Sequence, residues 1–273
     1  MLQGFKCLDG KCVSFTECLR RDCPGCLPRV FRLGILLKTQ YRDPNEISTT
    51  NLTSGCLRKV YWEKTRPYWA PPQKNYAALR GSLIHEILNL VADMKYEGAS
   101  ELCGTINTYT GNLITEKRFE RLVDGILLSG TIDYYDKASQ ELVDFKSLNG
   151  ATTMLKEGSA RADHISQANI YRYLMNYPVK RIRIIYVTMN EIFQTGEEYT
   201  ITRKLKAGPK QEKVALAEVP IWTDEQVLEF VRPRLQALNE ALKKGKLPAG
   251  ADTEHSWLCR FCSFAGECNA AVK

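Results

Sequence analysis

Two hydrophobic periods alternate along this chain. Helical spacing is clearest in "YAALRGSLIHEILNLVADM" (76–94), where Leu83, Ile84, Ile87, Leu88 and Val91 form one apolar stripe. It recurs in "DHISQANIYRYLMNY" (163–177), which Pro178 ends, and in "TDEQVLEFVRPRLQALNEALKKG" (223–245), opened by a capping box of Thr223 and Gln226. "LPRVFRLGILL" (27–37) and "STTNLTSGCLRKVYW" (48–62) predict two further helices. The proline-rich "RPYWAPPQKN" (66–75) predicts a loop, and "RDPNE" (42–46) a turn. Between the helices the pattern changes to strands: "LITEKRFERL" (113–122), "ILLSGTIDYYD" (126–136), "QELVDFKSL" (140–148) and "RIRIIYVTM" (181–189). "EYTITRKLKAGPKQEKVALAEV" (198–219) reads as a basic hairpin. Helix, strands, helix, strand, helix in one block predicts an α/β protein, a mixed central sheet flanked by helices.

The ten cysteines modify this picture. Five lie in residues 7–26 and three in 259–268, while Cys56 and Cys103 stand apart. Clusters with C-x-x-C knuckles, in a chain whose first residues lack a secretory apolar stretch, point to metal sites in a reducing, intracellular compartment rather than to disulfides. The expected organisation is a cysteine-rich zinc module over 1–30, a core over 31–248 and a cysteine-bearing C-terminal segment over 249–273. In the first module "SFTE" predicts a capping box, Ser14 with Glu17, opening a short helix that carries Cys18; the segment is otherwise too short and polar for its own core. A zinc ion takes four of the five cysteines. Cys18, Cys23 and Cys26 are joined by Cys7 or Cys12, with Cys7 preferred because "CLDG" makes a turn-forming ligand loop. Cys103 reads as an ordinary buried thiol. No run of eighteen apolar residues exists, so no membrane span is expected, and the net charge of +7 leans toward a polyanionic partner.

The candidate chemistry sits in "GTIDYYDKASQELVDFKS". Residues two apart in a strand share a face, so Asp144 and Lys146 point together while Val143 and Phe145 turn to the core. The short turn makes the two strands antiparallel neighbours and brings Asp133 beside that pair. Two carboxylates there form a hard-oxygen site suited to Mg²⁺ or Mn²⁺. His85 borders the stripe of the upstream helix, and Gln167 and Tyr171, four apart, share one face of the downstream helix.

In this order "GSLIH", "GTIDYYD", "VDFKS" and "QANIY" resemble the RecB-type branch of the PD-(D/E)xK nucleases, whose core is restriction-endonuclease-like. "LTSGCLRK" resembles the segment that precedes the nuclease core in iron–sulfur members, such as the CRISPR-associated RecB-like exonucleases and the AddB nuclease, where one cysteine joins three at the C-terminus. The resemblance covers about residues 48–268. It implies that His85, Asp133 and Asp144 bind the catalytic metal, aided by the Phe145 carbonyl. Lys146 would orient or activate the attacking water, and Gln167 and Tyr171 would position the lysine and the DNA backbone. It also implies that Cys56, Cys259, Cys262 and Cys268 hold a [4Fe–4S] cluster that staples the tail to the core; structural zinc is the alternative for that set.

Other residues carry open alternatives. Arg203, Lys204 and Lys206 of the basic hairpin either guide a phosphate backbone or form a solvated face. Tyr68 and Trp69 either stack on bases or cap the core, and Arg58 and Lys59 are candidate phosphate contacts. His164 and His255 read as structural. The resulting expectation is a metal-dependent deoxyribonuclease acting on single-stranded DNA ends, in CRISPR adaptation, phage recombination or repair. The rival is a DNA-end-binding adaptor of an integrase or helicase with little cleavage of its own.

Overall fold

The computed structural model describes residues 2–7, 10–20, 46–70, 85, 86, 90, 104, 107, 108, 110–148, 160–188, 214–250 and 256–271. Its elements run β1 (Leu2–Lys6), β2 (Cys12–Ser14), α1 (Phe15–Arg20), β3 (Ile47–Ser48), α2 (Thr49–Leu52), α3 (Leu57–Thr65) and β4 (Tyr68–Ala70). After these come β5 (Leu113–Thr115), β6 (Arg118–Val123), β7 (Ile126–Thr131), β8 (Tyr134–Asp136), β9 (Glu141–Leu148), α4 (Ala162–Met175), β10 (Arg181–Thr188), β11 (Val214–Val219) and α5 (Asp224–Lys244). A 3-10 turn (Ser256–Phe261) and α6 (Ala265–Ala271) end the series.

The central sheet has the order β11-β10-β9-β8-β5, with β9 and β10 parallel and the other pairs antiparallel. It is the expected mixed sheet. The parallel pair requires a crossover, and α4 supplies it. This helix is apolar on two sides. Ala168, Tyr171 and Met175 pack on the sheet, while Ile170, Tyr173 and Leu174 join Val227, Val231, Leu235 and Leu238 of α5. These α5 residues recur at helical spacing along one face. Thr223 Oγ1 accepts the Gln226 amide, Gln226 Oε1 accepts the Thr223 amide, and Gly245 closes the helix at φ 69°. Among the described residues no helix is long and apolar enough to cross a membrane.

Where sequence predicts single strands over 113–122 and 126–136, both are broken at the same level. Glu116 and Lys117 separate β5 from β6, and Ile132 and Asp133 separate β7 from β8. The two breaks face each other: the Glu116 amide donates to the Asp133 carbonyl (3.2 Å) and the Ile132 amide to the Lys117 carbonyl (3.0 Å). One long hairpin therefore bends as a unit. Its lower half, β5 and β8, belongs to the central sheet; its upper half, β6 and β7, makes a second sheet of order β3-β7-β6.

Three other local expectations change. The helix expected over 48–62 is interrupted after Leu52, and Cys56 becomes the N-cap of α3, with extended backbone (φ −148°). Ser54 and Gly55 supply the break, with the Ser54 hydroxyl 3.4 Å from both the amide and the carbonyl oxygen of Cys56. In the proline-rich stretch, Tyr68–Ala70 is a strand, pairing in parallel with β1. The N-terminal segment does have a small core: Phe5, Val13 and Cys18 are buried, with Phe15 edge-on to Phe5 at 5.0 Å. Its capping box follows expectation in one half, the Glu17 amide donating to Ser14 Oγ (3.2 Å). The predicted helix over 27–37, the turn at 42–46 and most of the basic hairpin lie outside the described residues, as does most of the 76–94 helix, of which His85, Glu86 and Leu90 are helical.

Gly130 of β7 sets how closely α4 approaches. A Cβ built there would lie 2.6 Å from Thr49 Oγ1, 2.8 Å from Tyr171 Cε1 and 3.0 Å from Leu174 Cδ1. Gly130→Ala is expected to lower stability by about 1–3 kcal/mol, the usual range for overpacking. A shift of the urea midpoint at unchanged slope would show it.

Candidate active site

Strand β9 delivers Asp144 and Lys146 to one face, as the alternation predicts. Lys146 Nζ lies 2.7 Å from Asp144 Oδ2. On the other face Val143 is buried, whereas Phe145 is only half-buried, a departure from its expected core position. Asp144 is 1% exposed. The lysine contact is ionic rather than directional, and neither Asp144 oxygen receives a well-aligned hydrogen bond. A buried carboxylate left this way is costly unless a cation compensates it.

Asp133 occupies the bend between β7 and β8 and reaches across to the next strand, where its Oδ2 accepts the Phe145 amide at 2.7 Å. The tight β8–β9 turn makes this possible. Asp136 caps it, accepting the Ala138 amide (2.9 Å) and the Ser139 hydroxyl (2.6 Å), while Gln140 takes the left-handed conformation. The sequence-predicted adjacency of Asp133, Asp144 and Lys146 is thus present.

Burial and the neighbouring Asp144 charge raise the Asp133 carboxyl to about 7, against the pull of Lys146 and His85. Burial also works against the Lys146 ammonium, but Asp144 and Asp133 outweigh it and keep the lysine above its ordinary value. Lys146 is therefore a cation at neutral pH.

His85 faces the same bend from its helix. Its Nδ1 lies 3.5 Å from Asp133 Oδ1 and 2.5 Å from Glu116 Oε1. Sequence reasoning did not select Glu116, because "LITEKRFERL" scans as one strand. The available sign was the pair of adjacent charges, Glu116 and Lys117, interrupting its alternation. The Glu116 hydrogen bond, opposed by burial and helped by Asp133, raises the His85 imidazole above its usual value.

Helix α4 closes one wall. Gln167 Nε2 donates to the Tyr171 hydroxyl at 2.7 Å, and both side chains are buried. That burial fits positioning of neighbours better than open contact with a strand of DNA. Tyr186 of β10 stands in register beside Lys146. Its hydroxyl accepts the Arg161 amide (3.2 Å) and lies 3.0 Å from His164 Nδ1. Burial, reinforced by the positive charges of Lys146 and Arg161, pushes His164 down to about 4, so it is neutral at physiological pH.

A second constellation lies at the C-terminal tail. Cys56 Sγ accepts the Lys59 amide (3.4 Å) at the start of α3. Arg58 grips the tail, donating from Nε to the Pro248 carbonyl (3.1 Å) and from Nη1 to Cys268 Sγ (3.3 Å). Phe264 inserts between Trp62 (5.5 Å) and Tyr68 (5.4 Å) and is 3% exposed. Burial raises the Cys262 thiol, and Cys56 adds to the effect. Cys259 is exposed in the 3-10 turn, its carbonyl accepting the Cys262 amide (3.2 Å). Tyr68 is thereby engaged with the tail, while Trp69 remains 39% exposed. In the N-terminal module Cys18 is buried, Cys7 is half-buried at a turn closed by the Gly10 amide (3.0 Å), and Cys12 is exposed. Cys23, Cys26, Arg203, Lys204 and Lys206 lie outside the described residues.

Residues 105–269 match the model of the PD-(D/E)XK nuclease superfamily. No curated protein matches the chain. Among solved structures, the crystal structure of SSO0001 shares 18% identity at a TM-score of 0.52, over 87% of this chain and 92% of that one. A phage-related exonuclease from Haemophilus somnus 129PT shares 14% identity (TM-score 0.36, 76% and 97% coverage). An alkaline exonuclease from Laribacter hongkongensis shares 9% (TM-score 0.36, 73% and 91%).

A carboxyl whose pKa is raised on folding contributes stability that is complete below its unfolded value and is lost as pH rises through the folded value. Here that window runs from the ordinary carboxyl value of 3.8 to about 7. The metal-free protein is therefore expected to lose stability across it, and Asp133→Asn to melt about 2–5 °C higher than wild type at pH 8. Thermal scans in chelator at pH 5 and pH 8 check this, with the difference between the two proteins growing toward pH 8.

Proposed function

The chain belongs to the PD-(D/E)XK nuclease superfamily, whose match covers residues 105–269, and from that premise we propose a divalent-metal-dependent deoxyribonuclease working as an exonuclease on single-stranded DNA ends. The observation that carries the reading is the convergence of Asp133, Asp144, Lys146 and His85 where β8 and β9 meet the bend. The donor set fits Mg²⁺ or Mn²⁺: hard carboxylate oxygens, one imidazole, and a buried Asp144 carboxylate whose Oδ2 meets Lys146 while its Oδ1 has no hydrogen-bond partner. His85, Asp133 and Asp144 would hold the ion, with the Phe145 carbonyl as a further oxygen ligand. Such an ion, when bound, lowers the pKa of water and draws off charge from phosphate oxygens.

The chain's own residues do the rest. Asp144 holds the Lys146 ammonium by charge, which leaves the lysine donors to orient a water against the scissile phosphate. Because Lys146 stays protonated, its part is orientation and charge stabilisation rather than proton abstraction. Gln167 and Tyr171 fix the wall behind it, and neutral His164 on Tyr186 adds no competing charge.

The second part of the proposal is a [4Fe–4S] cluster on Cys56, Cys259, Cys262 and Cys268. It is supported by the tail being held against α3, the helix that Cys56 caps, through Arg58 and Phe264. A zinc ion on Cys7, Cys18, Cys23 and Cys26 completes the metal content, with Cys12 as the substitute for Cys7. The net charge of +7 suits a DNA partner, and single-stranded ends fit a role in CRISPR adaptation, phage recombination or repair inside the cell, beside an integrase or helicase.

Anaerobically purified protein should degrade end-labelled single strands with Mn²⁺. Lys146→Ala should lose at least about 100-fold in rate, a common scale for removing one charge-stabilising donor, with its circular dichroism unchanged. DNA binding without cleavage in the wild type would favour the adaptor instead. Cys262→Ser should lose the brown colour and the iron content of the wild type, both read by absorbance and metal analysis. Colour and iron retained in full would overturn the cluster assignment.

A further inference from the structure

We propose that Glu116 is a direct ligand of the same divalent cation as His85 and Asp133. Three elements far apart in sequence bring these groups together: the helix bearing His85, the β5–β6 bend and the β7–β8 bend. One atom from each, a nitrogen or a carboxylate oxygen, lies within 4.8 Å of the others. His85 Nδ1 stands between the two carboxylates, 2.5 Å from Glu116 Oε1 and 3.5 Å from Asp133 Oδ1. His85 and Glu116 are 26% and 27% exposed, which gives an ion a way in to the buried Asp133.

The backbone fixes where this carboxylate can reach. Glu116 adopts φ 46°, the left-handed region, without being glycine. For such a side chain that conformation costs roughly 1–2 kcal/mol, and glycine or asparagine is the ordinary occupant. Positive φ in this chain falls on Gly10, Gly125 and Gly245 and also on Asp124, Gln140 and Asn176, so the conformation by itself does not single out Glu116. At 116 a carboxylate is held, with its amide tied to the Asp133 carbonyl (3.2 Å), and the side chain emerges toward His85. What distinguishes position 116 is the contact its side chain makes there, Oε1 against His85 Nδ1, across the bend from Asp133.

The competing role is purely orienting: Glu116 would accept the His85 Nδ1–H and leave the metal to Nε2, as outer carboxylates often do. The position of Asp133 argues against it. Asp133 Oδ1 approaches the Nδ1 edge of the ring, so imidazole, Asp133 and Glu116 converge on one point. With two carboxylates and an imidazole already there, and Asp144 beside them, the ligand set is three hard anionic groups with one borderline nitrogen. Mn²⁺ suits that combination, accepting imidazole more readily than Mg²⁺ does.

This inference rests on the metal-dependent reading above. Its test is calorimetric titration of the full chain, purified anaerobically, with Mn²⁺ alone and no DNA, comparing wild type with Glu116→Gln and Glu116→Gly. Glutamine keeps a neutral acceptor for the His85 N–H but loses the charge. Glycine removes the side chain and relieves the left-handed backbone. A direct ligand predicts Mn²⁺ affinity more than about 100-fold weaker in both variants, beyond the roughly 10–100-fold that losing an outer orienting carboxylate costs. It also predicts that metal-free Glu116→Gly melts at or above the wild-type temperature. A smaller loss in Glu116→Gln would overturn the ligand assignment in favour of the orienting role and leave the nuclease reading standing. Failure of the wild type itself to bind Mn²⁺ would overturn both.

Discussion

The hydrogen bond from the Phe145 amide to Asp133 Oδ2 ties a bend to a strand, and the site depends on it. A carboxylate at a strand break has no fixed direction of its own. Here the backbone of β9 supplies one, and the same bond fixes the height of β8 relative to Asp144 and Lys146. Burying two carboxylates side by side is unfavourable, as the raised Asp133 value shows. The fold tolerates it because Lys146 offsets part of the charge and because the bend is held from both sides by backbone hydrogen bonds. The polar cluster is consequently a place where the sheet gives up stability to hold carboxylates close together.

Much of this was legible in the sequence, for reasons that differ from element to element. Strand β9 was plain because alternation fixes which residues share a face, and a one-residue slip would have exchanged the faces of Asp144 and Lys146 with those of Val143 and Phe145. Helix α5 was plain because its cap, stripe and terminal glycine agree. Gln167 and Tyr171 followed from a spacing of four. The bend at 116–117 and 132–133 was not legible: each half reads as continuous strand, and only the pairing of one half with the other shows that both break together. Glu116 was missed with it. Cys56 was expected inside a helix and is instead the residue that starts one, because Ser54 and Gly55 compete with the helix through local hydrogen bonds. Tyr68–Ala70 was hidden by the prolines around it in the sequence, which read as a loop.

Membership of the PD-(D/E)XK superfamily accounts for the sheet and the Asp–Asp–Lys set together. The likeness to SSO0001, at 18% identity, speaks for the fold. What the fold adds is context: α4, apolar on two sides, is clamped between the central sheet and α5, so the wall carrying Gln167 and Tyr171 has little freedom to shift. A rigid wall suits chemistry that depends on placing a water and a phosphate within a fraction of an ångström.

The parallel pairing of β1 with β4 bears on how the chain is made. Leu2 aligns with Tyr68, and Tyr68 in turn packs on Phe264, so a single seam joins the first residues to the last cysteine segment. During synthesis β1 has only its hairpin partner β2 until β4 emerges, and the aromatic contact that backs β4 is not available until Phe264 has left the ribosome. Contacts so distant in sequence form late. The N-terminal strand thus waits on the tail, its parallel edge left open to other strands in the interval.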